Sequence, residues 1–345
     1  MRRHTKSEET AVAMTRELSD DEIGFFKDNG YLLLSGMLDD TLCAAARDRM
    51  WASMPDRSRM KRDQPASHVG PFSAEDEDDN TMHLRKDYRW QIRDVGTEPL
   101  LIDLVWNDRL RGVAETLLGE GMLQPPVVGG RPMGSEGAAW PGGPVDPAVN
   151  EGIRGIYCTL PHGDAPRQSI GGHTDGHPFN LGIVGLIDEV LPEGGGFRIW
   201  PGSHKRLYPT FQMQYDQPRI PYYAHLPSYK GIIHSPAYLA ELADIMADTK
   251  PVDCWGQTGD VVLWHHRLVH AAPPNYTQQM RQAVLNDFSR TDLDRCRLDP
   301  PQANMWRDWS DRTQQVSVAY SEAFAVAQRL PTATGESAGM QDQRG

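Results

Sequence analysis

Three residues of this sequence combine ligand chemistry with a spacing that suits a metal site. His173 and Asp175 are separated by one residue in the segment GGHTDGHPFNLG. On a strand, residues i and i+2 point to the same face, so this imidazole and this carboxylate should lie side by side. His270, in the segment GDVVLWHHRLVHAAPPN, is the predicted third ligand. Two histidines and one carboxylate with open coordination positions are typical of non-haem Fe(II) sites, so we predict that this triad binds a catalytic metal.

Other interpretations of these residues stay open at this point. A His-x-Asp pair also occurs where an aspartate merely orients a buried histidine. His266 and His270 have the i, i+4 spacing of a zinc-binding helix, but no glutamate follows His266 as a general base, and the run VVLW before them favours a strand. His177, Phe179 and Trp264 are candidate substrate contacts, since the first two share the predicted face of His173.

A cation is predicted beside the metal site. Arg281 follows His270 by eleven residues, across the turn PPNY. We expect the two segments to pair as antiparallel neighbours, which would place Arg281 deeper in the same cavity. A guanidinium group binds a carboxylate through two parallel hydrogen bonds, so Arg281 suits the far carboxylate of a dicarboxylate cosubstrate.

The composition argues against several classes of protein. The chain has 345 residues, 39% of them hydrophobic, and its 47 acidic and 35 basic residues give a formal net charge of −12. Such a chain is a poor electrostatic match for nucleic acid or an anionic membrane, so we expect a small-molecule substrate. The four cysteines form no CxxC pair, which favours reduced thiols over a zinc module. No membrane span or signal peptide is evident, which favours a cytoplasmic protein.

The apolar pattern predicts helices first and strands afterwards. A capping box from Ser19 to Glu22 begins one helix, and others are expected after Asp39, at 100–105 and at 110–118. Beyond about residue 122 the period is that of strands, which we predict at Gly155–Leu160, Gly172–Asp175, Leu181–Ile187, Phe197–Trp200, Val252–Cys254, Asp260–Trp264 and Gln282–Ser289. Short strands with Gly and Pro between them predict a mainly β fold with flanking helices and a double-stranded β-helix, or jelly-roll, core.

We predict one domain over residues 19–330, as a monomer or homodimer, with flexible tails at 1–18 and 331–345. A tyrosine-rich insert at 205–250, helical in its second half, interrupts the strands and is expected to act as a lid or a dimer surface. The Gly- and Pro-rich residues 124–150 and the polar residues 55–82 are expected to be loops.

Four motifs, in this order, resemble the phytanoyl-CoA dioxygenase family of Fe(II)- and 2-oxoglutarate-dependent oxygenases. They are the His-x-Asp pair, the turn GGGFRIWPGSH at 194–204, the segment GDVVLWHHRLVH and the arginine eleven residues beyond it. The opening LSDDEIGFFKDNGYLLLSGML is also similar to the start of that family. The resemblance spans roughly residues 18–300.

The resemblance implies a cofactor set and a reaction. The triad would bind Fe(II), Arg281 would bind the far carboxylate of 2-oxoglutarate, and Tyr157 and Thr159 would add cosubstrate contacts. With O2, the protein would hydroxylate or otherwise oxidise a small organic metabolite and release succinate and CO2. The alternative is a jelly-roll protein that binds iron or a small acid without turnover, as a sensor or a store.

Three positions bear on how closely the family pattern applies. Members commonly have a hydroxyl residue two positions after the distal histidine, where this chain has Ala272. Several have a tryptophan where this chain has Gly185, near the expected cosubstrate pocket. Related halogenases replace the carboxylate ligand with a small residue, so the presence of Asp175 favours hydroxylation or another oxidation over halogenation.

Overall fold

The computed structural model describes residues 15–80, 83–126, 153–175, 179–210, 213–219, 229–232, 235–296 and 299–328. Most of the predicted loop at 124–150 lies outside them, as do His177 and the predicted tail at 331–345. Leu18 already packs in the core with 1% of its surface exposed. Leu18 therefore belongs to the packed core, although it lies one residue before the predicted domain boundary at residue 19.

Nine α-helices flank the strands in the part of the chain that the structure describes. They are Asp20–Asn29 (α1), Asp40–Trp51 (α2), Pro99–Val105 (α3), Asp108–Leu118 (α4), Ser203–Leu207 (α5), Pro236–Asp248 (α6), Leu293–Cys296 (α7), Asp311–Gln315 (α8) and Glu322–Ala327 (α9). The capping box of α1 forms as predicted: the Glu22 amide donates to Ser19 Oγ, and the Ser19 amide donates to Glu22 Oε2. Gly30 ends this helix with a left-handed φ of 83°.

Thirteen strands lie within the same ranges. They are Tyr31–Leu34 (β1), Asp78–Asp79 (β2), His83–Lys86 (β3), Arg89–Ile92 (β4), Ile153–Thr159 (β5), Leu181–Leu186 (β6), Phe197–Ile199 (β7), Met213–Arg219 (β8), Tyr229–Ile232 (β9), Val252–Cys254 (β10), Val261–His265 (β11), His270–Ala271 (β12) and Arg281–Phe288 (β13). Six of the seven predicted strands form within one or two residues of their expected bounds.

One large antiparallel sheet supports the site. Its strand order is β1-β11-β6-β13-β5-β4-β3-β2. Within it, Arg281 lies opposite Thr159, and Asp287 lies opposite Gly182. Residues that face each other across a ladder project to the same side, and so do residues an even number apart along a strand. Arg281, Thr159 and Asp287 therefore share one side of the sheet, which we call the inner face.

A smaller sheet lies against this inner face. It has the order β10-β7-β12, and a single bridge between His270 and His173 extends it. The ring of Phe197, from β7, lies 4.8 Å from the ring of Trp264, from β11, so side chains of both sheets meet in one core. The predicted mainly β fold with a jelly-roll core and flanking helices is confirmed, although the described strands do not close into a barrel.

Two local expectations were wrong. His270 and Arg281 do not lie on paired strands, because β12 belongs to the small sheet and β13 to the large one. Pro273 and Pro274 lack the amide hydrogens that a continued ladder requires, and the chain crosses between the sheets there. The predicted strand Gly172–Asp175 is reduced to the one bridge at His173.

A hairpin and one exposed edge were not anticipated. β3 and β4 pair with each other, and β4 pairs with β5, so residues 83–92 extend the large sheet. The acidic run in the expected loop at 55–82 ends in strand β2 at the sheet edge. Asp76 in that run is buried, and its carbonyl accepts a hydrogen bond of 2.9 Å from Arg85 Nε. Charged and polar residues make up most of these three short strands, so they show little of the apolar pattern from which a strand is predicted.

Gly185 lies on the outer face of the large sheet, on the side away from Arg281. A Cβ atom there would lie 2.7 Å from Leu38 Cδ1 and 3.0 Å from Val284 Cγ1. The departure from the family pattern at this position therefore concerns packing on the outer side. Ala272, the other departure, is exposed.

Helix α6 confirms the predicted helical half of the insert, while the lid role of residues 205–250 stays a prediction. The four cysteines are free thiols. Among the described residues, no helix combines the length and apolar character needed to cross a membrane.

Candidate metal centre

The structure brings the three predicted ligands together. Asp175 Oδ1 lies 3.9 Å from His173 Nε2 and 3.6 Å from His270 Nε2. One ligand atom from each of the three residues lies within 4.8 Å of the others, and no other group of this kind occurs among the described residues. The His270 side chain is 6% exposed and that of His173 is 47% exposed, so the cluster lies at the edge of the core.

His270 is oriented with one ring nitrogen directed at this cluster. Its Nδ1 lies 2.9 Å from the carbonyl oxygen of Leu268. A carbonyl can only accept, so Nδ1 carries the proton, and Nε2 keeps its lone pair for a metal. The tautomer that ligation needs is thus set by the backbone of the preceding turn.

Asp175 is oriented by a buried arginine. Arg154 Nη2 donates to Asp175 Oδ2 at 2.8 Å and to Asp287 Oδ1 at 2.8 Å, while its Nε donates to Asp287 Oδ2 at 2.7 Å. Burial lowers the pKa of Arg154, but attraction from Asp175 and Asp287 outweighs this and raises the pKa above its ordinary value. One Asp175 oxygen is held by the cation, and the other faces the two histidines.

Two aromatic rings pack against this arginine. The guanidinium carbon of Arg154 lies 5.1 Å from the ring centre of Phe179 and 5.9 Å from that of Trp264. Each of these aromatic residues is only 1% exposed. Trp264 also lies 5.6 Å from the His270 ring. Both rings therefore pack against the arginine that orients Asp175, and Trp264 also packs against His270. Their predicted substrate contacts stay a prediction.

Arg281 lies deep in the core at the start of β13. It is 4% exposed, and its Nη1 donates to the carbonyl oxygen of Tyr157 at 3.2 Å. Its Nε has no hydrogen-bond partner among the described residues. Burial lowers the pKa of Arg281 to about 10, which leaves the guanidinium charged at neutral pH. A buried cation with unused donors on the inner face suits a carboxylate ligand.

Tyr157 and Thr159 lie on β5 beside this arginine, on the same face, as predicted. Thr159 faces Arg281 across the ladder, and Tyr157 faces Ala283. The Tyr157 hydroxyl accepts a hydrogen bond of 3.0 Å from Arg93 Nε. Arg93 is itself buried, and its guanidinium carbon lies 5.6 Å from the ring centre of Tyr157. Both predicted cosubstrate contacts are thus placed near Arg281.

Helix α6 touches the segment that carries two of the ligands. The Tyr238 hydroxyl lies 2.6 Å from Thr174 Oγ1, between His173 and Asp175 in the chain. The Gly172 amide donates to Met246 Sδ at 3.3 Å. Tyr238 is fully buried, so the helical half of the insert is part of the support of the metal centre.

Arg154 and Asp287 were missed by sequence reasoning. A weak signal was present, since Arg154 is a lone charge inside an apolar strand and is followed by a glycine, which is typical of a bulge. Asp287 is likewise a single acid in a buried strand. Neither position indicates its partner without the tertiary structure.

The donor set fits Fe(II). Two imidazoles and one carboxylate on one side of an ion match the facial arrangement of non-haem iron sites. Bonds of about 2 Å from an ion place neighbouring ligand atoms about 3–4 Å apart. The distances of 3.9 and 3.6 Å from Asp175 Oδ1 to the two Nε2 atoms lie in this range. His270 offers a lone pair at Nε2, and Asp175 offers one oxygen.

The family follows from a match over most of the sequence. The sequence model of the phytanoyl-CoA dioxygenase family matches residues 26–283, about three quarters of the chain. The chain belongs to the phytanoyl-CoA dioxygenase family. As a member of this family it is an oxidoreductase of the dioxygenase type that uses Fe(II) and 2-oxoglutarate, and the His-Asp-His cluster is the candidate iron site.

Several solved structures are similar to this member of the phytanoyl-CoA dioxygenase family. SnoK, a non-haem α-ketoglutarate-dependent carbocyclase from nogalamycin biosynthesis, has 18% identity and a TM-score of 0.44, over 85% of this chain and 95% of SnoK. EctD from S. alaskensis with bound Fe has 15% identity and a TM-score of 0.47, over 88% of this chain and 87% of EctD. AviO1 from Streptomyces viridochromogenes Tue57 has 18% identity and a TM-score of 0.41, over 78% of this chain and 93% of AviO1. No curated protein sequence matches this chain.

Proposed function

We propose that this dioxygenase hydroxylates or otherwise oxidises a small organic metabolite, with succinate and CO2 as co-products. One observation carries the proposal: His173, Asp175 and His270 converge at the edge of the core, while Arg281 lies deep on the inner face of the same sheet system. The triad suits a metal ion, and Arg281 suits the far carboxylate of a dicarboxylate cosubstrate.

In this proposal His173, Asp175 and His270 would hold Fe(II), and 2-oxoglutarate and O2 would bind beside them. Bound iron supplies the oxidation chemistry, and the protein's residues position and shield it. The Leu268 carbonyl keeps the proton of His270 on Nδ1, so that Nε2 stays a ligand. Asp175 contributes Oδ1, because Arg154 already holds Oδ2.

The same proposal gives 2-oxoglutarate an extended position along the inner face. Arg281 would pair with its far carboxylate through the donors that the Tyr157 carbonyl leaves unused. Tyr157 and Thr159 would flank it from β5. Burial keeps water away from this ion pair and so strengthens it. His177, Phe179 and Trp264 remain candidate contacts for the organic substrate.

The proposal is tested by anaerobic titration of the protein with Fe(II) and then 2-oxoglutarate, followed by visible absorbance. A weak charge-transfer band should appear in the parent and vanish in Asp175→Ala. Asp253→Ala is a matched control, because Asp253 also pairs with an arginine, Arg198, but lies outside the cluster. Release of succinate in air separates an enzyme from a protein that only binds iron. Bound iron without a band or succinate would refute the proposed reaction.

A further inference from the structure

Asp175 is one of two carboxylates that share a single arginine. Arg154 forms a complete two-bond pair with Asp287, through Nε and Nη2 at 2.7 and 2.8 Å. The same Nη2 also donates to Asp175 Oδ2 at 2.8 Å. The three side chains are 6%, 5% and 15% exposed, for Arg154, Asp287 and Asp175. Arg154 therefore links the buried Asp287 to a carboxylate of the candidate metal centre.

The backbone fixes where Arg154 points. In the ladder between β5 and β13, Ile153 faces Asn286 and Gly155 faces Leu285, so Arg154 is the extra residue of a bulge. Gly155 has a φ of 101°, and a Cβ atom there would lie 2.1 Å from the carbonyl oxygen of Ile92. Only glycine fits this position, and the bulge turns Arg154 toward Asp175.

Arg154 links the candidate metal ligand to a second acidic side chain. It pairs with both Asp175 and Asp287, and the three side chains are nearly buried. The other Asp175 oxygen faces His173 and His270, where a cation would bind to a carboxylate whose orientation Arg154 fixes.

We propose that Arg154 is a positioning residue of the metal centre and keeps Asp175 a ligand through one oxygen only. The inference rests on the proposed ligand set. If both oxygens of Asp175 bound the metal, the carboxylate would occupy a position that 2-oxoglutarate or O2 requires. Arg154 prevents this because it holds Oδ2, and Asp287 prevents Arg154 from following Asp175 toward the metal.

The test removes the buried pair without changing the net charge. The variant Arg154→Gln/Asp287→Asn loses one charge of each sign and keeps polar groups in place. Its matched control is Arg198→Gln/Asp253→Asn, which removes another two-bond arginine–aspartate pair, outside the site. We expect Fe(II) binding to weaken about 10- to 100-fold in the first variant and to stay unchanged in the second.

Cobalt(II) gives a readout that a merely structural role would not change. The intensity of its visible absorption depends on coordination number, so a second Asp175 oxygen on the metal should alter the spectrum of Arg154→Gln/Asp287→Asn. Arg154→Lys retains the positive charge but lacks the planar guanidinium that can bind two carboxylates at once. We therefore expect its affinity for Fe(II) to lie between those of Arg154→Gln/Asp287→Asn and the parent. Circular dichroism and a thermal melt show whether each variant is folded.

The outcomes separate this inference from the proposed function. If Asp175→Ala binds Fe(II) like the parent, the ligand set itself is wrong. If Asp175→Ala loses Fe(II) while the folded Arg154→Gln/Asp287→Asn keeps both the affinity and the cobalt spectrum of the parent, only the positioning role of Arg154 is overturned.

Discussion

His173 and His270 exchange both of their backbone hydrogen bonds, each 2.9 Å long. The ring centres of the two histidines lie 4.7 Å apart. Two segments that are distant in the sequence are thus joined at the residues that carry the candidate ligands. Any change that shifts one backbone segment shifts a ligand, so the packing around this bridge should control metal affinity.

Two adjacent glycines before His173 provide a direct test of that packing. A Cβ atom on Gly172 would lie 2.4 Å from Val269 Cγ1 and 2.8 Å from the ring of Trp200, whereas one on Gly171 would meet nothing within 4 Å. We expect Gly172→Ala to lower the free energy of unfolding by about 1–3 kcal/mol and to weaken Fe(II) binding. Gly171→Ala is the control and should match the parent in urea unfolding and in iron titration. Equal behaviour of the two variants would contradict the packing argument.

Replacement of Arg281 should affect the cosubstrate more than the metal. Arg281→Gln loses a charged hydrogen-bonding pair, for which we expect a loss of about 2 kcal/mol, or a roughly 30-fold rise in KM for 2-oxoglutarate. Fe(II) affinity without 2-oxoglutarate should stay close to that of the parent. Steady-state succinate release and iron titration measure the two effects.

Arg49→Gln is a suitable control for this experiment, since Arg49 pairs with Glu98 through Nε and Nη2 on the helical side of the fold. It should leave KM unchanged. An Arg281→Gln enzyme with the parent's KM would show that another residue binds the far carboxylate.

The contact between helix α6 and the metal segment should stabilise the centre. Tyr238→Phe removes the hydroxyl that meets Thr174 Oγ1, and Thr174 is 1% exposed. A buried hydroxyl that loses its partner costs about 1–3 kcal/mol. We expect a lower melting temperature and weaker Fe(II) binding in Tyr238→Phe.

The double variant Tyr238→Phe/Thr174→Val removes both hydroxyls and should recover part of the lost stability, because the buried Thr174 hydroxyl that lost its Tyr238 partner is then gone as well. If the double variant is less stable than Tyr238→Phe, the hydroxyl pair is not the source of the effect. Melting curves of the parent and both variants decide between these outcomes.

Stability should fall on acidification through buried histidines. Burial lowers the pKa of His204 from its ordinary value of 6.5 to about 3. Its Nε2 donates to the Lys27 carbonyl, and its Nδ1 has no partner among the described residues. Between pH 6.5 and 3 the His204 imidazole is protonated in the unfolded chain but stays neutral in the folded chain. This histidine should therefore remove about 1.4 kcal/mol of stability per pH unit as the pH falls.

His204→Gln keeps a donor for the Lys27 carbonyl but does not titrate in this range. Urea unfolding at several pH values from 6.5 to 4 should give a shallower loss of stability in this variant than in the parent. Part of the slope will remain, since burial also places the pKa of His265 well below its ordinary value. Identical slopes would show that His204 is protonated in the folded protein.

Local patterns in the sequence determined much of the fold. The capping box at Ser19 and six of the seven predicted strands depend on neighbours close in the chain, and they form as expected. The triad and Arg281 were found because their residue types, spacing and order resemble one family. That resemblance is confirmed by the family match.

Only the tertiary structure decided which side chains support these residues. Asp175 depends on Arg154, which comes from a bulge in β5, and on Asp287, which lies near the end of β13, and no sequence period joins them. Likewise the sequence could not show that β12 and β13 belong to different sheets. Candidate metal-ligating and cosubstrate-binding residues can be recognised in a sequence by their type and local spacing. Their positioning depends on strand register and on contacts between distant segments, which exist only once the sheets have formed.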